Sequence, residues 1–69
     1  MQTFELEGHD FIELNKLLKI MQVAGSGGEA KQLIDEGLIS VNGETEKQRR
    51  KKLRKGDKVT FKEQEIEIC

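Results

Sequence analysis

"VAGSGGEAKQLIDEG", residues 23–37, carries the start, body and end of one helix. Ser26 and Glu29 have the S-x-x-E spacing of a capping box, in which the hydroxyl accepts an orphan backbone N–H of the first turn. Ala30, Leu33 and Ile34 share one face, and Gly37 supplies the residue that closes a helix in the left-handed region. A helix over 27–36 is predicted. Gly27 and Gly28 sit in its first turn, where each costs about 1 kcal/mol relative to alanine. A local rule broken at a helix start points to a use for that start.

Upstream, "FIELNKLLKIMQ" places Phe11, Leu14, Leu18 and Met21 at helical spacing, with Leu17 widening the stripe. Asp10 and Glu13 resemble a capping pair, so a helix over 11–22 is expected. "TFELE", residues 3–7, alternates with Phe4 and Leu6 inward and reads as a short strand ended by Gly8. Downstream, "LISVNGETEK" reads as a hairpin turning at Asn42-Gly43. Strands with Val59 and Phe61, then Ile66 and Ile68, facing inward follow a turn at Gly56-Asp57.

The fold class is α+β, with two helices packed on one face of a small, mainly antiparallel sheet in a single domain over 1–69. The expected core is Phe4, Leu6, Leu14, Leu17, Leu18, Met21, Ala30, Leu33, Ile34, Ile39, Val41, Leu53, Val59, Phe61, Ile66 and Ile68. A chain of 69 residues buries about 60% of its unfolded surface, so that core must be used almost fully.

The formal net charge of -1 conceals a divided chain. Residues 46–58, "EKQRRKKLRKGDK", hold eight basic residues against two acidic ones, a charge of +6, and leave -7 for the rest. Leu53 interrupts the cations, and an isolated leucine there is best explained as an anchor to the core. An anchored run presents its charge in a fixed direction.

The capped helix starting at a serine, "EAKQLIDEGLISVNG", the basic stretch and "KGDKV", in that order, resemble the RNA-binding domain named after small-subunit ribosomal protein S-four, the alpha-L motif. The resemblance covers about residues 11–61, and "SGGEAK", "VNGE" and "RRKKLRKGD" look most like its small stand-alone bacterial members, the YbcJ-like proteins. It implies that Ser26, Gly27, Gly28, Lys31 and Gln32 lie on an RNA-facing edge of the second helix. Asn42 and Gly43 would sit at the turn beside it, with Lys16 on the first helix near the same surface. The basic stretch maps onto Lys47, Arg49, Arg50, Lys51 and Lys52. Gly27 stands where many relatives carry arginine after the capping serine, and Glu13 where a basic residue often opens the first helix; both remove a cation.

The implied function is non-catalytic recognition of structured RNA, ribosomal or transfer RNA being the expected partner, through phosphate and shape contacts. Arginine and lysine clusters meet phosphates, and the amides at Gly27-Gly28 offer the positive end of a helix without side chains in the way. No nucleophile elbow, Walker-type loop or metal-ligand spacing is present, so no enzyme activity, cofactor or small-molecule substrate is expected. The three phenylalanines are assigned to the core or to a helix start rather than to a base-stacking platform.

Cys69 is the lone cysteine and reads as an inert thiol, which suits a reducing compartment. With no apolar run of membrane-spanning length, a cytoplasmic monomer is expected. Two other classes fit less of the sequence. An interaction module could dock an acidic partner on the basic strip, and a ubiquitin-like sulfur carrier shares "VNGE" and "GDKV" segments but requires a terminal Gly-Gly where this chain has "IEIC".

Overall fold

The computed structural model describes residues 2–69. Its elements run β1 (Gln2–Phe4), β2 (Ile12–Glu13), α1 (Leu14–Ile20), α2 (Gly27–Asp35), β3 (Ile39–Val41), β4 (Glu44–Thr45), β5 (Lys52–Leu53), β6 (Lys58–Phe61) and β7 (Gln64–Ile68). One sheet has the order β1-β7-β6-β3-β4, antiparallel except where β1 lies parallel to β7; β2 and β5 form a separate antiparallel ribbon. The two helices cover one face of the larger sheet, the α+β architecture expected.

Helix α2 forms as its local signals dictate. The Ser26 hydroxyl accepts from the Glu29 N–H at 3.2 Å, and Gly37, at φ +76, ends the helix with its N–H on the Ile34 carbonyl. Asn42 and Gly43 both take positive φ, as the tight β3–β4 turn requires.

Helix α1 departs from the 11–22 expectation at both ends. Residues 12 and 13 belong to a strand, and Glu13 occupies the cap position without a side-chain hydrogen bond. Asp10 and Glu13 therefore do not form the expected cap. The Leu14 N–H instead donates to the Lys51 carbonyl at 2.9 Å and the Asn15 N–H to the Arg49 carbonyl at 3.0 Å. Two orphan amides of the first turn are thus satisfied by the basic segment. At the other end, Gln22 adopts φ +61, and the Val23 and Ala24 amides fold back onto the Leu18 carbonyl.

The core joins Leu14, Leu17 and Leu18 of α1 and Ala30 and Ile34 of α2 to Ile39, Val41, Val59, Ile66 and Ile68 of the sheet. Leu53 is completely buried, so the leucine among the cations is the anchor its isolation suggested. Phe4, Met21, Leu33 and Phe61 are only partly buried at the margin, while Ala24, which carries no periodic signal, is inside.

Candidate nucleic-acid interface

The basic segment is held at three places, and each fixes part of its charge. Its carbonyls at Arg49 and Lys51 cap α1. Lys52 and Leu53 pair with Glu13 and Ile12 in the ribbon, where Leu53 sinks into the core. The Arg49 guanidinium engages the Asp35 carboxylate at the end of α2 through two hydrogen bonds, the Nε–Oδ1 bond measuring 3.0 Å. This arginine holds the Asp35 carboxyl below its ordinary value, and the nearby Lys47 charge contributes in the same sense.

The Lys47 stem also passes beside Gly37, its Cε 3.7 Å from where a Cβ would stand. Helix α2 has no basic residue in its own last turn. Lys47 and Arg49 supply from outside the cations that the negative end of a helix favours.

Most of the residues singled out in the sequence fall into two groups. Gly27, Gly28 and Lys31 lie along the α2 face that ends at Asp35 with its partner Arg49, since residues four apart share a face. The helix start and that ion pair stand about 12 Å apart along the axis, at about 1.5 Å per residue. A Cβ at Gly27 would meet nothing within 4 Å, and at Gly28 only the Ser26 Oγ at 3.9 Å; neither glycine has a positive φ. Neither packing nor backbone conformation calls for glycine here, and the first-turn backbone is open to approach.

The second group is Asn42, Lys51 and Lys52, which line one cleft of about 480 Å³ with Arg54, while Glu44, Glu46 and Asp57 contribute opposing charge. Asn42 is already committed there: its amide donates to Asp57 at 3.0 Å and its carbonyl oxygen accepts from the Lys58 N–H at 2.9 Å. Gly43 completes the turn. Gln32 is likewise engaged, donating to Glu36 one turn along α2 at 3.2 Å. Arg50 is exposed at the tip of the basic segment, and Lys16 lines a different cleft, with His9, Phe11 and Glu13.

Phe11 and Arg54 lie outside the expected set of site residues. Phe11 is 36% exposed rather than in the core or in a helix, with the Lys52 Nζ 5.0 Å and the Arg54 Cζ 5.7 Å from its ring centroid. The available signal was alternation about Leu53: once that residue points inward, Lys52 and Arg54 must both point out. Among the described residues no three His, Cys, Asp or Glu side chains converge as a metal site, and no helix is long and apolar enough to cross a membrane.

Known proteins resemble this chain in sequence and fold. A family model described as the S4 domain matches residues 4–69. The YbcJ proteins of Escherichia coli (strain K12) and Shigella flexneri are each 37% identical over 68 residues, covering 99% of this chain and 97% of theirs. The solution structure of E. coli YbcJ, described as revealing an alpha-L motif involved in RNA-binding, superposes with a TM-score of 0.75 over 99% of this chain and 86% of that one. With its capped α2, its basic segment clasped to both helices and a family match over nearly its whole length, the chain belongs to the S4 domain family.

Proposed function

We propose that this protein binds folded RNA, such as ribosomal or transfer RNA, by phosphate and shape contacts and without catalysis. The observation that carries the proposal is the immobilised basic segment. A flexible run of cations would lose much of its attraction to the entropy of ordering, whereas this one is fixed by α1, by Leu53 and by Asp35 before any RNA arrives. Its relationship to YbcJ, described with an RNA-binding motif, supports the same reading.

Lys47, Arg50, Lys51 and Lys52 are the proposed phosphate ligands of the segment, with Lys31 and the open amides at Gly27-Gly28 extending the contact along α2 and Lys16 along α1. Arg49 acts mainly as a positioning residue because Asp35 occupies its guanidinium. Ser26 holds the helix start, and Gln32, Asn42 and Gly43 shape the surface rather than supplying charge.

With about 4 to 6 phosphates neutralised, the logarithm of the association constant should fall with log salt at a slope of about -3 to -5. Replacing Lys47, Arg50, Lys51 and Lys52 by alanine should flatten that slope by about 3 to 4 while the melting curve stays close to wild type. Fluorescence anisotropy with a labelled structured RNA across a salt series measures both. An unchanged slope would remove these four residues from the interface.

A further inference from the structure

The ribbon of β2 and β5 has two faces with different chemistry. Ile12 and Leu53 pair across it, as do Glu13 and Lys52, and just beyond the ribbon the Arg54 guanidinium lies over the Phe11 ring. Alternation puts Ile12 and Leu53 on the inner face. Leu53 is fully buried there, so the ribbon has its apolar anchor without Phe11. The outer face then carries Phe11, Glu13, Lys52 and Arg54. Phe11 is 36% exposed outside the buried core cluster, and the part of its ring beneath the two cations is a π-surface where nucleic-acid phosphates would arrive.

Resting on the RNA-binding reading, we propose that this outer face is a subsite for one unpaired nucleotide, whose base stacks on Phe11 while its phosphate draws Lys52 and Arg54 off the ring. Both side chains are exposed and long, and their distances of 5.0 and 5.7 Å from the centroid are those of loose cation–π contacts. A phosphate is a stronger partner for each than a phenyl face. The base attached to that phosphate then meets a vacated ring, and base–aromatic stacking tolerates any base identity.

Space is available beside the ring, in a cleft of about 440 Å³ lined by His9, Asp10, Phe11, Ile12, Glu13 and Lys16. Glu13 favours a base over a second phosphate at this position: its carboxylate repels the one and accepts a hydrogen bond from an amino group of the other. A paired base keeps its faces within the helical stack. The subsite therefore selects RNA with a loop, bulge or frayed end next to the duplex.

The chain has no tryptophan and no tyrosine, so F11W introduces a sole indole at the stacking position. The probes are an RNA hairpin with a randomised unpaired loop and a blunt RNA duplex of equal phosphate number. Wild type should bind the hairpin about 5- to 150-fold more tightly than the duplex. F11L should abolish that preference while leaving duplex affinity in place, and the F11W indole should be quenched by the hairpin and not by the duplex. Equal wild-type affinity for the two RNAs, a preference retained in F11L, or a hairpin complex that leaves the indole unquenched would each overturn the subsite while RNA binding stands. Failure of wild type to bind either RNA would overturn the RNA-binding reading and the subsite with it.

Discussion

The two helices begin in opposite ways. Helix α2 brings its own cap, Ser26, and its first turn is open to solvent; α1 brings none and takes the carbonyls of Arg49 and Lys51 from a segment more than thirty residues later. The first start is a property of a few adjacent residues, whereas the second exists only once the basic segment has docked. This difference joins architecture to function, because the segment that completes α1 is the one that carries the charge. A domain of this kind cannot leave its cations disordered without also fraying its first helix.

The strongest way to break the comparison is to remove the anchor. Leu53→Ala should destabilise the domain by about 2–5 kcal/mol, the usual range for a fully buried leucine. That is a large share of the total when stability amounts to about 0.05–0.15 kcal/mol per residue. Urea unfolding measures the loss, and amide exchange locates it. In the variant, the amides of Leu14 and Asn15 should exchange through local opening well before global unfolding, while the amide of Glu29 keeps exchanging with the remainder of the fold. Equal local opening at both helix starts would show that α1 does not depend on the basic segment in the way its hydrogen bonds indicate.

A smaller contrast separates the caps themselves. Ser26→Ala should cost about 1 kcal/mol, since it deletes the acceptor for an orphan amide. Glu13→Ala, at the equivalent position of α1, should change stability by no more than about 0.5 kcal/mol, because no side-chain bond is lost there. Thermal melts of the two variants side by side decide the point. A larger loss at Glu13 would mean that its pairing with Lys52 across the ribbon stabilises the helix start in place of a cap.

The same contrast explains what was legible in the sequence. Ser26, Glu29 and Gly37 announce α2 within twelve residues, Asn42-Gly43 announces the hairpin, and a lone leucine announces the docking of the basic run. Each signal is local or compositional. The true start of α1 is set by pairing between residues 12–13 and 52–53, and nothing near Asp10 marks that event; the i, i+3, i+4 spacing simply continued the helix too far upstream. The parallel pairing of β1 with β7 likewise joins opposite ends of the chain. Within the candidate interface, the residue types were readable but their engagements were not: Asn42 is held by Asp57, and Arg49 by Asp35, each across fourteen or fifteen positions. Phe11 escaped for the same reason, since its exposure follows from a strand register that only the folded chain defines.

The finest distinction concerns Arg49, which serves both helices at once, its carbonyl at the start of α1 and its guanidinium at the end of α2. The two roles respond differently to pH. A carbonyl does not titrate, but the Asp35 carboxyl, held below its ordinary value of 3.8 chiefly by the hydrogen bonds from Arg49, does. Because the folded-state value is the lower one, the stabilisation from this pair is fully present above the unfolded value and is lost as pH falls through the folded one. Asp35→Asn removes the charge at every pH. Its stability should therefore lie slightly below wild type at neutral pH and converge with it as the pH is taken below about 4, the carboxylate's ordinary range. Both partners are close to half exposed, so added salt should narrow the neutral-pH gap as well. Denaturation midpoints measured across pH and salt follow this directly. A gap that persists unchanged in acid would assign the Asp35 contribution to its neutral hydrogen bonding rather than to its charge, and would leave the basic segment anchored to α2 by geometry alone.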